Sequence, residues 1–245
     1  MLASVSELAH GAPLARLGPD ADADWYPASW LANPDGGVLH DLIGAAARRW
    51  GVGPHAAAAL AFKGYAWAVA VPVIVGWGLH RRVALPEIGT VRVGIASRLP
   101  YVRFDLTDTP VALLPDDPAA GHRQARVLDD PDSLLAAADA ALLDDHLAAV
   151  VSAWHLATRV GERALWGSAA EAIVQPVLLL PFGSADQRAG AARRVLSAFG
   201  DRVRDLVDVV DAAGGPRVQR RTCCLWFTGG SGRGTYCVSC CVTRH

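Results

Sequence analysis

The sequence predicts an α+β fold, mainly helical, with a small antiparallel β element and a cysteine-rich C-terminal segment. Three observations carry that prediction. Apolar residues recur at three-to-four spacing through most of the chain. Around residues 90–106 the rhythm changes to alternation, in VRVGI and YVRFDL on either side of ASRLP. All five cysteines fall within the final 23 residues, at Cys223, Cys224, Cys237, Cys240 and Cys241.

Taken in order, residues 1–35 are rich in Pro, Asp and Ala without sustained periodicity, and read as a loosely structured lead-in. A mainly helical domain is expected over 36–215. Leu39, Leu42, Ile43, Ala46 and Trp50 mark a helix over 37–50. Pro54 opens a longer helix that takes in the apolar run GYAWAVAVPVIVGWGL. That run has 16 residues before it meets charge and carries Pro72, Gly76 and Gly78. A spanning helix needs about 20 apolar residues, so a buried core helix is the reading.

The alternating segments near 90–106 predict a hairpin, and the Pro- and Asp-rich stretch 107–130 a surface connection. Asp130-Pro131 is a helix start, with Asp130 as cap and Pro131 in the first turn. The face of that helix runs through Leu135, Ala138, Leu142, His146, Leu147, Val150 and Trp154. Gly161 and Gly167 are expected to break the next stretch into two helices ending near Pro181. Ser184 with Gln187 forms a capping box for a helix over 185–199. Val203, Leu206, Val207 and Val210 predict one more helix, stopped by Gly214-Gly215-Pro216. Residues 216–245 then form the cysteine-bearing segment, packed on the main domain.

With 245 residues, 52% of them hydrophobic, and a net charge of −1, the composition is that of a globular chain with a sizeable core. It excludes a disordered tail, and global charge gives no reason to expect a nucleic-acid partner. Of the 23 basic residues only Lys63 is lysine. The N-terminal residues lack the pattern of a secretory signal, so the expected compartment is the cytoplasm. There thiols stay free or bind metal rather than pair in disulfides, and an odd number leaves one unpaired in any complete scheme.

Cys237-Val-Ser-Cys240 is a CxxC turn, whose two sulfurs can converge on a metal. Cys223-Cys224 adds a vicinal pair, whose side chains normally point apart. A dinuclear cluster eases that difficulty, because its four thiolate positions are spread over a wider footprint. The glycines at 229, 230, 232 and 234 let the intervening loop fold back. By spacing alone a 2Fe–2S cluster and a four-cysteine zinc site both remain open. A thioredoxin-type dithiol leaves the vicinal pair unexplained.

The string RRTCCLWF…YCVSCC resembles the C-terminal signature of the FhuF-like family of ferric-siderophore reductases. The stretches PHAAAALAFKGYAWAVAVP (54–72) and RALWGSAA (163–170) resemble family segments upstream of it, so the likeness covers roughly 50–245. The resemblance implies a 2Fe–2S cluster held by Cys223, Cys224, Cys237 and Cys240. Twelve residues separate Cys224 from Cys237, a longer spacer than is usual in the family. Cys241 stands where the family commonly has proline, which makes it a possible substitute for the fourth ligand.

The activity implied is one-electron reduction of siderophore-bound Fe(III), in the cytoplasm or peripheral to the inner face of the plasma membrane. The partners implied are the ferric siderophore, an external electron donor (a ferredoxin, a flavoprotein or a low-molecular-weight reductant) and, transiently, an inner-membrane siderophore transporter. The alternative is a non-enzymatic siderophore-binding or interaction protein with structural zinc.

Residues 216–245 contain no acid but five arginines, whose charge is expected to favour the reduced cluster. Arg220, Arg221, Arg233 and Trp226 are the candidate substrate contacts. Trp154, Trp166 and Tyr65 read as core aromatics rather than pocket walls. His146 and His155 read as satisfied or half-exposed side chains rather than ligands. Asp116-Asp117 and Asp144-Asp145 show no acid–base geometry.

Overall fold

The apolar run after Pro54 forms the central helix. In the computed structural model, which describes residues 24–95, 102–229 and 234–242, Pro54–His80 is one helix, α2. Pro54 sits in its first turn, where a missing N–H leaves no bond unmade. A helix apolar on every side must be buried on every side, and α2 is. It alone among the described helices is long and apolar enough to cross a membrane, and 83% of its most apolar window is inside the protein.

Against α2 lie Gly37–Trp50 (α1), with Leu39, Leu42 and Ala46 inward, and the long helix Glu162–Leu179 (α5). Gly161 caps α5, but Gly167 does not divide it; the helix runs unbroken past both Gly167 and Pro176. Between them come Pro131–Asp139 (α3), the π-helical segment Ala140–Leu147 and Ala148–Thr158 (α4), in one continuous run. Asp130 caps α3, accepting from the backbone N–H of Asp132 and Ser133 at 2.9 Å each.

The expected apolar face of that run is entirely buried. The π turn places His146 against α2. Its Nδ1 donates to the Pro86 carbonyl (2.6 Å), which leaves Nε2 to accept from the Tyr65 hydroxyl (2.5 Å). Trp154 donates from Nε1 to the Ala58 carbonyl (3.0 Å). His146, Tyr65 and Trp154 are therefore satisfied core residues. His155 is half-buried, with Nδ1 donating to the Val160 carbonyl at 2.8 Å.

The expected hairpin strands are present as Arg92–Ile95 (β3) and Arg103–Asp105 (β4), antiparallel; residues 96–101, where the turn is expected, lie outside the described residues. Asp24–Pro27 (β1) adds to the other edge of β3, followed by a 3₁₀ turn at Ala28–Ala32. This end of the expected lead-in is therefore ordered; residues 1–23 lie outside the described residues. A second small sheet joins Val83–Ala84 (β2), Val111–Leu113 (β5) and Ala125–Val127 (β6), with β5 antiparallel to β2 and parallel to β6. The stretch 107–130 thus holds two strands within the expected surface connection. At three residues each they are too short to show alternation.

Ala185–Ala198 (α6) begins with the capping box at Ser184 and Gln187. The next element differs from expectation. Only Asp201–Arg204 (α7) is helical, and Val207–Val210 (β7) is a strand antiparallel to Arg217–Arg220 (β8). Three valines in four residues suit a strand, and the partner strand supplies a ladder that local spacing does not reveal. Gly215, at φ 104°, lies in the turn between them. This hairpin delivers the chain to the cysteines.

Candidate metal centre

Every cysteine of the chain lines one concavity. Cys223, Cys224, Cys237, Cys240 and Cys241 share it with Thr222, Trp226, Phe227 and Tyr236. Three local features bring them there. Thr222 packs so closely on α5 that a Cβ at Gly167 would stand 2.0 Å from its Oγ1. Leu225 then turns the chain in the left-handed conformation at φ 62°, an arrangement that non-glycine residues seldom adopt. Gly229 lets the spacer approach the α1–α2 connection, where a Cβ would stand 2.6 Å from Val52 Cγ1. Trp226 meets Trp50 edge-on at 6.5 Å.

The CxxC closes as a tight turn, with Cys240 N–H donating to the Cys237 carbonyl at 3.0 Å. Gln219 of β8 donates from Nε2 to the Cys240 carbonyl (2.8 Å). Backbone amides also face the sulfurs: Leu225 N–H donates to Cys223 Sγ and Val242 N–H to Cys240 Sγ, each at 3.4 Å. Such donors stabilise thiolate.

Cys224 Sγ and Cys237 Sγ are 3.5 Å apart. Two sulfurs bound to one tetrahedral metal at about 2.3 Å stand about 3.8 Å apart, so this pair is already spaced as ligands of one ion. The two share a proton. That hydrogen bond holds the first ionisation well below an ordinary thiol despite burial, with Lys63 assisting, and pushes the second well above it. Burial raises the Cys241 thiol, and neighbouring Cys223 and Cys240 raise it further. Cys224 is thus paired with Cys237, while Cys223, Cys240 and Cys241 lie on the same concavity. Among the described residues no three Cys, His, Asp or Glu side chains converge as the ligands of a single ion. The thiolate donor set, with one pair already at ligand spacing, fits a sulfur-bound metal centre.

Beside the thiols lies a charge network that residue spacing did not reveal. Glu171 of α5 is buried and accepts from Lys63 Nζ of α2 at 2.9 and 2.7 Å. Arg220 Nη1 donates to its Oε2 at 3.1 Å, and Ser239 Oγ to its Oε1 at 2.5 Å. Burial raises the Glu171 carboxyl, but Lys63, Arg220 and Ser239 outweigh it and hold it below the usual range. Two signals were present in the sequence: Lys63 is the only lysine, and Glu171 is the one acid beyond the first residue of α5. Such charges are buried only when paired.

The candidate substrate contacts separate. Arg220 is 1% exposed, with Nη2 held by Ser168 Oγ (2.9 Å) and Thr222 Oγ1 (3.1 Å). It is an internal counter-ion and offers nothing to a ligand outside. Arg221 is at the surface, paired with Asp208 at 2.9 and 2.7 Å. The acid-free tail therefore borrows carboxylates from α5 and β7, and its positive excess is smaller than its sequence suggests. Trp226 lines the cysteine concavity; Trp166 lies elsewhere, under the Arg202 guanidinium. Arg233, Gly230, Gly232, Arg244 and His245 lie outside the described residues.

Residues 62–181 match the family model described as ferric iron reductase FhuF-like transporter. That span, just under half of the chain, is similar to the FhuF-like family. Comparison with curated proteins and with solved structures found no match. The FhuF-like span runs from within α2 to the end of α5. It includes Lys63 and Glu171 and stops before the first cysteine. In general terms, the match supports a ferric-siderophore reductase type of role.

Proposed function

We propose that Cys223, Cys224, Cys237 and Cys240 hold a 2Fe–2S cluster and that the protein is a cytoplasmic ferric-siderophore reductase. The observation that carries this reading is the gathering of all five cysteines on one concavity, with Cys224 Sγ already 3.5 Å from Cys237 Sγ. A single zinc ion asks four thiolates to meet at one point, whereas a dinuclear cluster takes them in two pairs. When bound, the cluster supplies one electron at a time.

Siderophores hold Fe(III) through hard oxygen donors. One added electron gives Fe(II), which those donors hold weakly and release. The electron comes from an external reductant, a ferredoxin, a flavoprotein or a small molecule. The chain's own residues position the site. Lys63 and Arg220 face Glu171 beside the thiolates, so two cations against one carboxylate leave one positive charge there. That charge favours the more negative, reduced state.

Phe227 and Tyr236 give the concavity an exposed aromatic rim, and Val238 and Val242, beside its cysteines in sequence, are exposed too. Phe227 is 38% exposed, Tyr236 51%, Val238 82% and Val242 57%. Apolar side chains clustered at a surface mark a contact site. We assign this rim, with Trp226, to the docking of the ferric siderophore. Transient contact with an inner-membrane siderophore transporter belongs to the same reading.

Anaerobic purification with iron, acid-labile sulfide and EPR analysis tests the proposal. The expected result is two irons and two sulfides per chain, and reoxidation of the reduced protein by a ferric siderophore. A colourless protein with one zinc and no sulfide overturns it and assigns the non-enzymatic alternative.

A further inference from the structure

We infer that Glu171 is a positioning residue that seats the CxxC turn on the helical body, and that Lys63 and Glu171 tune the charge against which the thiol site is reduced. The first part stands on geometry alone; the second rests on the 2Fe–2S reading.

Ser239 is the residue within CVSC that makes the connection. It is buried, and it is held on both its side chain and its backbone. Its Oγ donates to Glu171 Oε1 at 2.5 Å, and its carbonyl accepts from Arg220 N–H at 2.9 Å. The Arg220 side chain returns to the same carboxylate on Oε2. Lys63 spans both carboxylate oxygens from the opposite helix. One carboxylate therefore joins α2, α5, β8 and the cysteine turn. Cys237 and Cys240 flank the residue so held, and their spacing is set by where Ser239 is fixed.

The arrangement is not an ordinary surface pair. The Arg220 side chain has no exposure and that of Glu171 has 10%. Charges in such a position are retained only with partners, and here the partners include the turn that carries two thiols. Because Lys63 and Glu171 bear opposite charge at the same node, removing one shifts the local field in the opposite sense to removing the other.

Hydrogen exchange on the full-length, reduced, metal-free protein tests the seating. Ser239→Ala removes the tether and leaves Glu171 paired with both cations, so folding of the body is spared. Exchange across 237–242 is expected to rise about tenfold or more, the loss of one hydrogen bond to a charged group. Exchange across 131–158 is expected to stay unchanged. Ser239→Thr keeps the hydroxyl and is expected to restore protection. Unchanged exchange in Ser239→Ala overturns the seating.

EPR-monitored redox titration of the protein as isolated tests the charge. Glu171→Gln is expected to raise the reduced-to-oxidised ratio at a fixed potential about tenfold, and Lys63→Met to lower it about tenfold. Each is about 59 mV for one electron. Shifts of the same sign, or none, overturn the charge role. Wild-type protein lacking iron and sulfide overturns both the reductase reading and the charge role, while the exchange result still decides the seating.

Discussion

Single residues set the sharpest expectations. His146 is buried and neutral, and burial lowers its pKa from 6.5 to about 4, the Pro86 carbonyl acting the other way. An unfolded histidine takes a proton near pH 6.5 while the folded one does not, so the unfolded state binds more protons in that window. Stability from this group is complete above pH 6.5 and is lost as pH falls toward 4. The loss is about 3 kcal/mol. Urea titrations across that window check it, because His146→Leu should flatten this part of the stability slope relative to wild type. Gly167→Ala sets a second expectation. The added methyl meets Thr222 Oγ1 at 2.0 Å, and overpacking of that kind costs about 1–3 kcal/mol. Thr222 precedes Cys223, so metal content per chain should fall while far-UV circular dichroism is kept. The fourth ligand is decided by two serine variants. Cys240→Ser should lose iron and sulfide and Cys241→Ser should retain them; the reverse outcome exchanges the two assignments.

At the scale of elements, caps and long periods were legible in the sequence and short strands were not. Asp130-Pro131 and Ser184 with Gln187 start helices where their side chains can satisfy free backbone amides. Asp130→Ala should therefore cost about 1 kcal/mol by thermal or chemical unfolding. β5 and β6 have three residues each, too few for an alternating pattern to stand out. Val203, Leu206, Val207 and Val210 have helical spacing, yet the last two belong to β7 because Arg217–Arg220 offers them a ladder. Sequence spacing contains the strand but not its partner. The π segment is hidden for a similar reason: the partners of its His146, Tyr65 and Pro86, are remote in sequence.

For the whole molecule, the helical body and the cysteine-bearing segment are distinct in composition and joined by few groups. The main apolar cluster contains none of the five cysteines. Metal removal by a chelator should leave helical circular dichroism and cooperative unfolding of the body intact, with changes confined to the tail. The thiols themselves were legible because cysteine is concentrated in one short stretch. Their foundation was not, since Lys63, Glu171 and Arg220 are remote in sequence and each alone resembles an ordinary charge. Only packing of α2 on α5 makes Glu171 a buried carboxylate that requires counter-ions.

That wiring bears on the order of assembly. The bonds that converge on Glu171 span 49, 68 and 108 positions of the chain. Contacts so distant form late, after the entropy of closing long loops has been met by the packing of the body. The thiol site thus cannot be completed ahead of the core. A chain whose α2 and α5 fail to pack leaves its cysteines unseated. Acquisition of metal would then report that the rest of the protein has folded.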